Sequence, residues 1–121
     1  MRIRKINSSD VDRIVKLLAK KYPGEKIDDI REHTEWHIKG FPEFCLIAEK
    51  DGKLLGFIIC HLHADSLEIE ELYAVNGKEH VFKRLILEVL GRIPKVDTII
   101  TVSYTHLRAH ETSLHLVCRL L

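Results

Sequence analysis

Between Ser66 and Ile93 the hydrophobic pattern changes period once. Leu67 and Ile69 alternate with Glu68 and Glu70, the two-residue period of a half-buried strand. The alternation then slips: Glu71 stands where the next apolar residue is due, and Leu72 is apolar instead. One extra residue is what a β-bulge inserts, so a strand over Leu67–Val75 is predicted with a bulge at Glu70–Glu71. Asn76-Gly77-Lys78-Glu79 reads as a polar turn. After it, Val81, Phe82, Leu85, Ile86, Val89, Leu90 and Ile93 recur at helical spacing, which predicts a helix over His80–Arg92. Lys83, Arg84, Glu88 and Arg92 fall mostly off that stripe. A strand running into a helix N-terminus is a ready anion site, because the first helical N–H groups lack internal partners and the dipole favours negative charge.

The same patterning places the other elements. Arg2–Ile6 makes a short strand, and Asn7-Ser8-Ser9-Asp10 supplies N-cap residues, with Ser9 and Asp12 close to a capping box. Val11, Ile14, Val15, Leu17 and Leu18 form one face of a helix that Tyr22-Pro23-Gly24 ends, with Asp12, Arg13, Lys16 and Lys20 opposite. A second helix is expected from after Lys26 to Lys39, with Ile27, Ile30, Thr34 and Ile38 on one side and Gly40-Phe41-Pro42 as its stop. Phe44–Glu49 and Leu54–His63 read as strands joined through Asp51-Gly52, a strong hairpin signal, and Ala64-Asp65-Ser66 returns the chain into the bulged strand. Thr98–Thr101 follows the last helix and is predicted to add a parallel strand. The fold class is therefore α+β: a mixed, mainly antiparallel sheet flanked by helices.

Length changes little in this picture, since 121 residues suit one domain. No apolar run is long enough to span a bilayer, and Met1-Arg2-Ile3-Arg4-Lys5 lacks a signal-peptide core, so a cytoplasmic location is expected. The tail reads differently. Val102 to Thr112 corresponds, residue by residue, to a translated transposon-type sequencing adapter, and Leu116 to Leu121 to its outer adapter, with Ser113, Leu114 and His115 at the variable index. Two domains of different status are expected: residues 1–101 as the protein's own, truncated after about Thr101, and residues 102–121 as a non-native tail. Without Arg108, Arg119 and Glu111 of that tail, acidic and basic residues balance. A neutral chain offers no electrostatic case for nucleic acid or an anionic membrane as partner.

Several side chains carry candidate chemistry. His61 and His63 lie two apart on a strand and share a face, with Asp65 near, and His33 and His37 stand at i, i+4 on a helix. Both spacings suit metal ligands, but the sequence fixes no third ligand for either, so no metal is expected and solvated or substrate-lining histidines are the reading. His61 and His63 can instead recognise an amine or relay a proton. Cys45 and Cys60 sit on neighbouring strands and are expected to be buried free thiols. Trp36 is expected to pack on the second helix within reach of a substrate, and Lys78 and Lys83 flank the turn where a phosphate would lie.

Leu67-Glu68-Ile69-Glu70-Glu71-Leu72-Tyr73-Ala74-Val75, with the turn and helix after it, resembles the central strand, pyrophosphate loop and third helix of the GNAT acyltransferases. These enzymes move an acetyl group from acetyl-CoA to an amine. Arg2, Arg4 and Asp10 before the first helix, the run Asp51-Gly52-Lys53-Leu54-Leu55-Gly56-Phe57, and the order of elements extend the resemblance over nearly all of residues 1–101. The family's loop reads Arg/Gln-x-x-Gly-x-Gly/Ala; here the loop is shorter, and His80 and Phe82 occupy the last two small positions. The family's fourth helix, which often carries a general-acid tyrosine, has no counterpart in residues 1–101, and Tyr104 belongs to the tail.

The resemblance implies roles. Backbone groups of Leu72, Ala74 and Val75 would pair with pantetheine, and those of Lys78, Glu79, His80, Val81 and Phe82 would hold the pyrophosphate of acetyl-CoA. Glu70 or Glu71 would serve as general base, with Glu68 a weaker choice, because the attacking amine must be neutral. The acceptor would be an amine of a small molecule or a protein, near His61 and His63, and a homodimer is compatible with this reading. The alternative is a non-catalytic GNAT-like module with a degenerate loop that binds a protein or regulatory ligand.

Overall fold

The computed structural model describes residues 1–64, 66–93 and 99–102, the last four as backbone only. Strands β1 (Arg2–Lys5), β2 (Cys45–Lys50), β3 (Lys53–Leu62), β4 (Ser66–Ala74) and β5 (Ile99–Val102) form one sheet in the order β1-β2-β3-β4-β5. The first four pair antiparallel and β5 joins β4 in parallel. Helices α1 (Val11–Lys21) and α2 (Ile27–Gly40) precede β2, and α3 (Glu79–Leu90) follows β4. This is the predicted mixed, mainly antiparallel architecture. Of the tail expected to be non-native, only Val102 lies within the described residues, as the last residue of β5. None of the described helices is long and apolar enough to cross a membrane.

Two apolar clusters hold the layers together. On one side of the sheet, Val11, Ile14, Val15, Leu18 and Ile30 pack on Ile47, Phe57 and Ile59. On the other, Val81, Phe82, Leu85, Ile86 and Val89 of α3 pack on Leu46, Ile58, Leu67, Ile69 and Leu72. The stripes read on α1 and α3 are buried as expected, except that Leu17, Leu90 and Ile93 sit at their margins. Ile27 does not join a core. It opens α2 and is 57% exposed. Cys45 and Cys60 are free and buried, yet they belong to opposite clusters, since adjacent strand positions alternate across the sheet.

Local chemistry explains the connections. Asp51 and Gly52 both adopt positive φ (52° and 76°), the requirement of a tight hairpin turn matching the strand twist. The capping box before α1 forms two residues earlier than the sequence implies. Asn7 accepts from the Ser9 N–H while Asp10 accepts from the Asn7 N–H, so the pair is Asn7 and Asp10 rather than Ser9 and Asp12. Asp10 is better placed because it also receives the Arg4 guanidinium fork at 2.8 and 2.9 Å and Arg13 at 2.9 Å. Those bonds tie β1 to α1. Between β4 and α3, Asn76 and Gly77 take positive φ in a turn over Val75–Gly77 that aims the α3 N-terminus back along β4.

Candidate active site

The bulge forms where the hydrophobic phase slips. Ile59 pairs with Glu71 and Cys60 with Ile69, which leaves Glu70 as the extra residue of β4. The slip turns two consecutive carboxylates toward α1 and α2. Glu71 Oε2 lies 3.1 Å from Lys21 Nζ at the end of α1, and Glu70 Oε1 lies 4.0 Å from His37 Nε2 on α2. Both glutamates are nearly buried, at 9% and 3% exposure for Glu70 and Glu71. A buried carboxylate needs partners to offset lost hydration, and Lys21 supplies one for Glu71. Tyr22 supplies another through its hydroxyl. Burial, and then the Glu71 charge, raise the Tyr22 phenol far above its usual range, so it remains a neutral donor.

Glu71 opens on a cleft of about 250 Å³ between α1, α2 and β3, whose polar lining includes Tyr22, Glu25, Asp29, His33 and Thr34. Three carboxylates in one cleft favour a cationic guest. The parallel ladder between β4 and β5 runs from Ser66↔Ile99 to Ile69↔Val102, one residue short of the bulge. Beyond it, Leu72 to Ala74 pair with β3 only, among the described residues.

The histidines gather on the same face. His37 has a side chain only 2% exposed, and its Nδ1 lies 2.8 Å from the His33 carbonyl oxygen. A carbonyl can only accept, so Nδ1 carries the hydrogen. Burial is the main cause that lowers the His37 pKa, which keeps the ring neutral and leaves a lone pair on Nε2. Nε2 has no hydrogen-bond partner among the described residues. His61 stacks between Phe41 and His63, at ring separations of 4.7 and 4.4 Å, and meets His37 edge-on. His63 Nε2 lies 3.4 Å from Glu68. Trp36 packs against His37, Phe41 and His61 as expected, although it stays 53% exposed.

The candidate pyrophosphate turn is more committed to the fold than its sequence implies. Of the N–H groups from Lys78 to Phe82, that of Lys78 donates to the Val75 carbonyl, and those of Val81 and Phe82 donate to Lys78. Val81 and Phe82 point their side chains into the α3 core, so the Phe82 ring does not stand over the turn. Lys78, Glu79 and His80 are exposed at the helix start, and Lys83 lies 4.0 Å from Glu79.

The structure thus brings Glu68, Glu70, Glu71, His61 and His63 to the α1/α2 side of the sheet and places Leu72, Ala74 and Val75 just past the bulge. Lys21, Tyr22, Glu25 and Asp29 also belong to this site and carry no sequence signal for it. Tyr22 and its neighbours carry a helix-stop signal in sequence, and only the docking of α1 on β4 gives them a second role.

No protein-family model matches the sequence, and no curated protein matches it either. Solved structures do. Naa50 from Arabidopsis thaliana, in complex with the bisubstrate analogue CoA-Ac-MVNAL, superposes with a TM-score of 0.72 at 15% identity, over 98% of this chain and 80% of that one. A ribosomal-protein-alanine N-acetyltransferase from Brucella melitensis gives 0.67 at 15% identity, over 99% and 83%. PaiA N-acetyltransferase from Thermoplasma acidophilum, in complex with coenzyme A, gives 0.54 at 24% identity, over 74% and 69%. In element order, in the bulge of β4 and in these superpositions, the chain has the fold of the GNAT acetyltransferases.

Proposed function

We propose that this protein is an N-acetyltransferase that takes an acetyl group from acetyl-CoA and delivers it to a cationic amine. One observation carries the reading: at the bulge of β4 a buried carboxylate opens on an acidic cleft. Acetyl-CoA, when bound, supplies an activated thioester. The backbone of Leu72 to Ala74, just past the bulge, suits its pantetheine arm, as the likeness to the GNAT fold implies. Exposed Lys78 and His80, at the dipole-positive end of α3, suit its phosphates.

The acceptor side follows from charge. Glu25, Asp29 and Glu71 draw an ammonium group into the cleft. Glu71 is the group placed to take its proton, because it lines the cleft while Glu70 turns toward His37. Lys21 and Tyr22 hold the Glu71 carboxylate in one orientation. A small-molecule or protein amine satisfies this chemistry equally.

A second reading, the non-catalytic GNAT-like module, is favoured by the turn before α3, where three N–H groups of the candidate phosphate site are already engaged. Thiol release from acetyl-CoA across a panel of polyamines, amino acids and N-terminal peptides separates the two. The enzyme reading expects amine-dependent release that falls by about a hundredfold or more in Glu71→Gln, the range of a lost general base. Release absent for every amine transfers the protein to the second reading, and amine-dependent release unchanged in Glu71→Gln refutes Glu71 as the base.

A further inference from the structure

The chain carries more imidazole around the bulge than acetyl transfer uses. His33, His37 and Glu70 bring one donor atom each to within 4.8 Å of one another, and none of them is needed to take a proton in the cleft. We propose that these three residues bind a divalent transition-metal ion of the Zn²⁺ class, which clamps α2 to the bulge of β4 beside the acceptor cleft.

His37 is prepared as a ligand. Metal-bound histidines almost always donate their other ring N–H to a carbonyl or carboxylate, which fixes the tautomer and the ring angle. His37 makes that bond with the His33 carbonyl at 2.8 Å, and its Nε2 lone pair is left buried with no hydrogen-bond partner among the described residues. The lone pair faces a carboxylate oxygen of Glu70 at 4.0 Å. Two electron-rich atoms facing each other in a buried site repel unless a cation or a proton lies between them. A proton does not resolve the contact, because 4.0 Å is too long for an N–H···O bond. A metal ion does, since tetrahedral bonds of about 2.0–2.1 Å hold two ligand atoms about 3.3 Å apart, which the side chains reach by closing about 0.7 Å.

The remaining geometry agrees. His33 and His37 stand one helical turn apart, so both rings project from one face of α2, 4.4 Å between centroids. His33 also lines the acceptor cleft, so the three ligands lie beside that space. Two imidazoles and a carboxylate favour Zn²⁺, Co²⁺ or Ni²⁺ over Mg²⁺ or Ca²⁺, which prefer all-oxygen sites. The second group, His61, His63 and Glu68, lacks this preparation. His63 is exposed and sits 3.4 Å from Glu68, and no buried orphan nitrogen points into that group among the described residues.

The test uses tag-free full-length protein stripped with chelator and titrated with Zn²⁺ against a chromophoric competitor, and with Co²⁺ followed by its visible absorption. Neither measurement involves acetyl-CoA, so its outcome is independent of acetyl transfer. Wild type should bind one equivalent saturably. Loss of an outer partner of a metal ligand alone costs about 10–100-fold in affinity, so His33→Gln, His37→Gln and Glu70→Gln should each lose at least that much. His33 is exposed, so its variant removes a ligand without opening the core and remains decisive if His37→Gln fails to fold. The double variant His61→Gln/His63→Gln should bind as wild type does. No saturable binding, undiminished binding in His33→Gln, or loss confined to the double variant would each overturn the site.

Discussion

Replacing Gly56 with alanine tests how α3 is seated. Gly56 pairs with Ala48 on one side and Ala74 on the other, so a row of small residues crosses β2, β3 and β4. Val81, in the first turn of α3, rests on that row. A Cβ built on Gly56 falls 2.4 Å from the Tyr73 carbonyl oxygen, 2.8 Å from Val81 Cγ1 and 3.3 Å from Ala74 Cα. The first contact is about 1 Å inside the ~3.5 Å at which non-bonded atoms begin to attract. It is made with backbone, which cannot turn away as a side chain can. Either β4 separates from β3 or the start of α3 lifts, and overpacking of this kind costs about 1–3 kcal/mol, or more when backbone must move. Thermal and urea unfolding of Gly56→Ala should therefore show a loss of about 3 kcal/mol, which for a domain of this size is roughly 12–20 °C in Tm. Gly91→Ala is the control, since its nearest neighbours lie at 3.5 and 3.6 Å in a helical conformation. That change should be neutral or mildly stabilising. A Gly56→Ala protein within about 0.5 kcal/mol of wild type would mean that α3 does not sit on the sheet as described, and the turn before it would lose its proposed position.

Three further outcomes follow from the same contacts. Burial alone would raise the Asp10 carboxyl, but the Arg4 fork, the Asn7 N–H and Arg13 outweigh it and hold the group at about 2. Its folded value lies below the unfolded value of about 3.9, so its stabilisation is present above that pH and is lost as pH falls toward 2; acid titration of Asp10→Asn should lack this limb and start about 1.5–3 kcal/mol lower at neutral pH. Burial pushes the Cys45 thiol up to about 12 and the Cys60 thiol well above its ordinary value, so alkylation of native protein at mildly alkaline pH, mapped by peptide mass, should spare both until denaturant is added. Phe82→Ala should lower stability by about 3–5 kcal/mol in urea unfolding, because the ring is packed in the α3 core rather than held over the turn.

Much of the frame was legible because local rules and tertiary burial agree. The slip at Glu70–Glu71 predicts the bulge, since a strand with a buried face cannot carry Glu71 in the apolar phase without an extra residue. Asp51-Gly52 predicts the hairpin because few residues tolerate two positive φ values in succession. His37 was harder to place. The stripe read on α2 ran through Ile27, Ile30, Thr34 and Ile38, but Ile30, Thr34 and His37 are the buried positions. Helical spacing is compatible with His37 on that face, seven residues after Ile30. The cue is masked because an imidazole does not register as apolar. The third ligand for His33 and His37 was not legible at all, because Glu70 is distant in sequence and reaches α2 only when the bulge turns it there. Lys21 is a similar case: nothing in the sequence separates it from the neighbouring lysines, and only the fold sets it against Glu71.

The central claim is that residues past the bulge and the start of α3 together receive acetyl-CoA. Backbone amide NMR during a titration with CoA tests it most directly, because each position reports separately. The account predicts saturable shifts at Leu72 to Ala74 and at Lys78 to His80, with β1 and the β2–β3 hairpin unmoved. An absence of shifts up to millimolar CoA, or shifts confined to a surface away from β4 and α3, would contradict it.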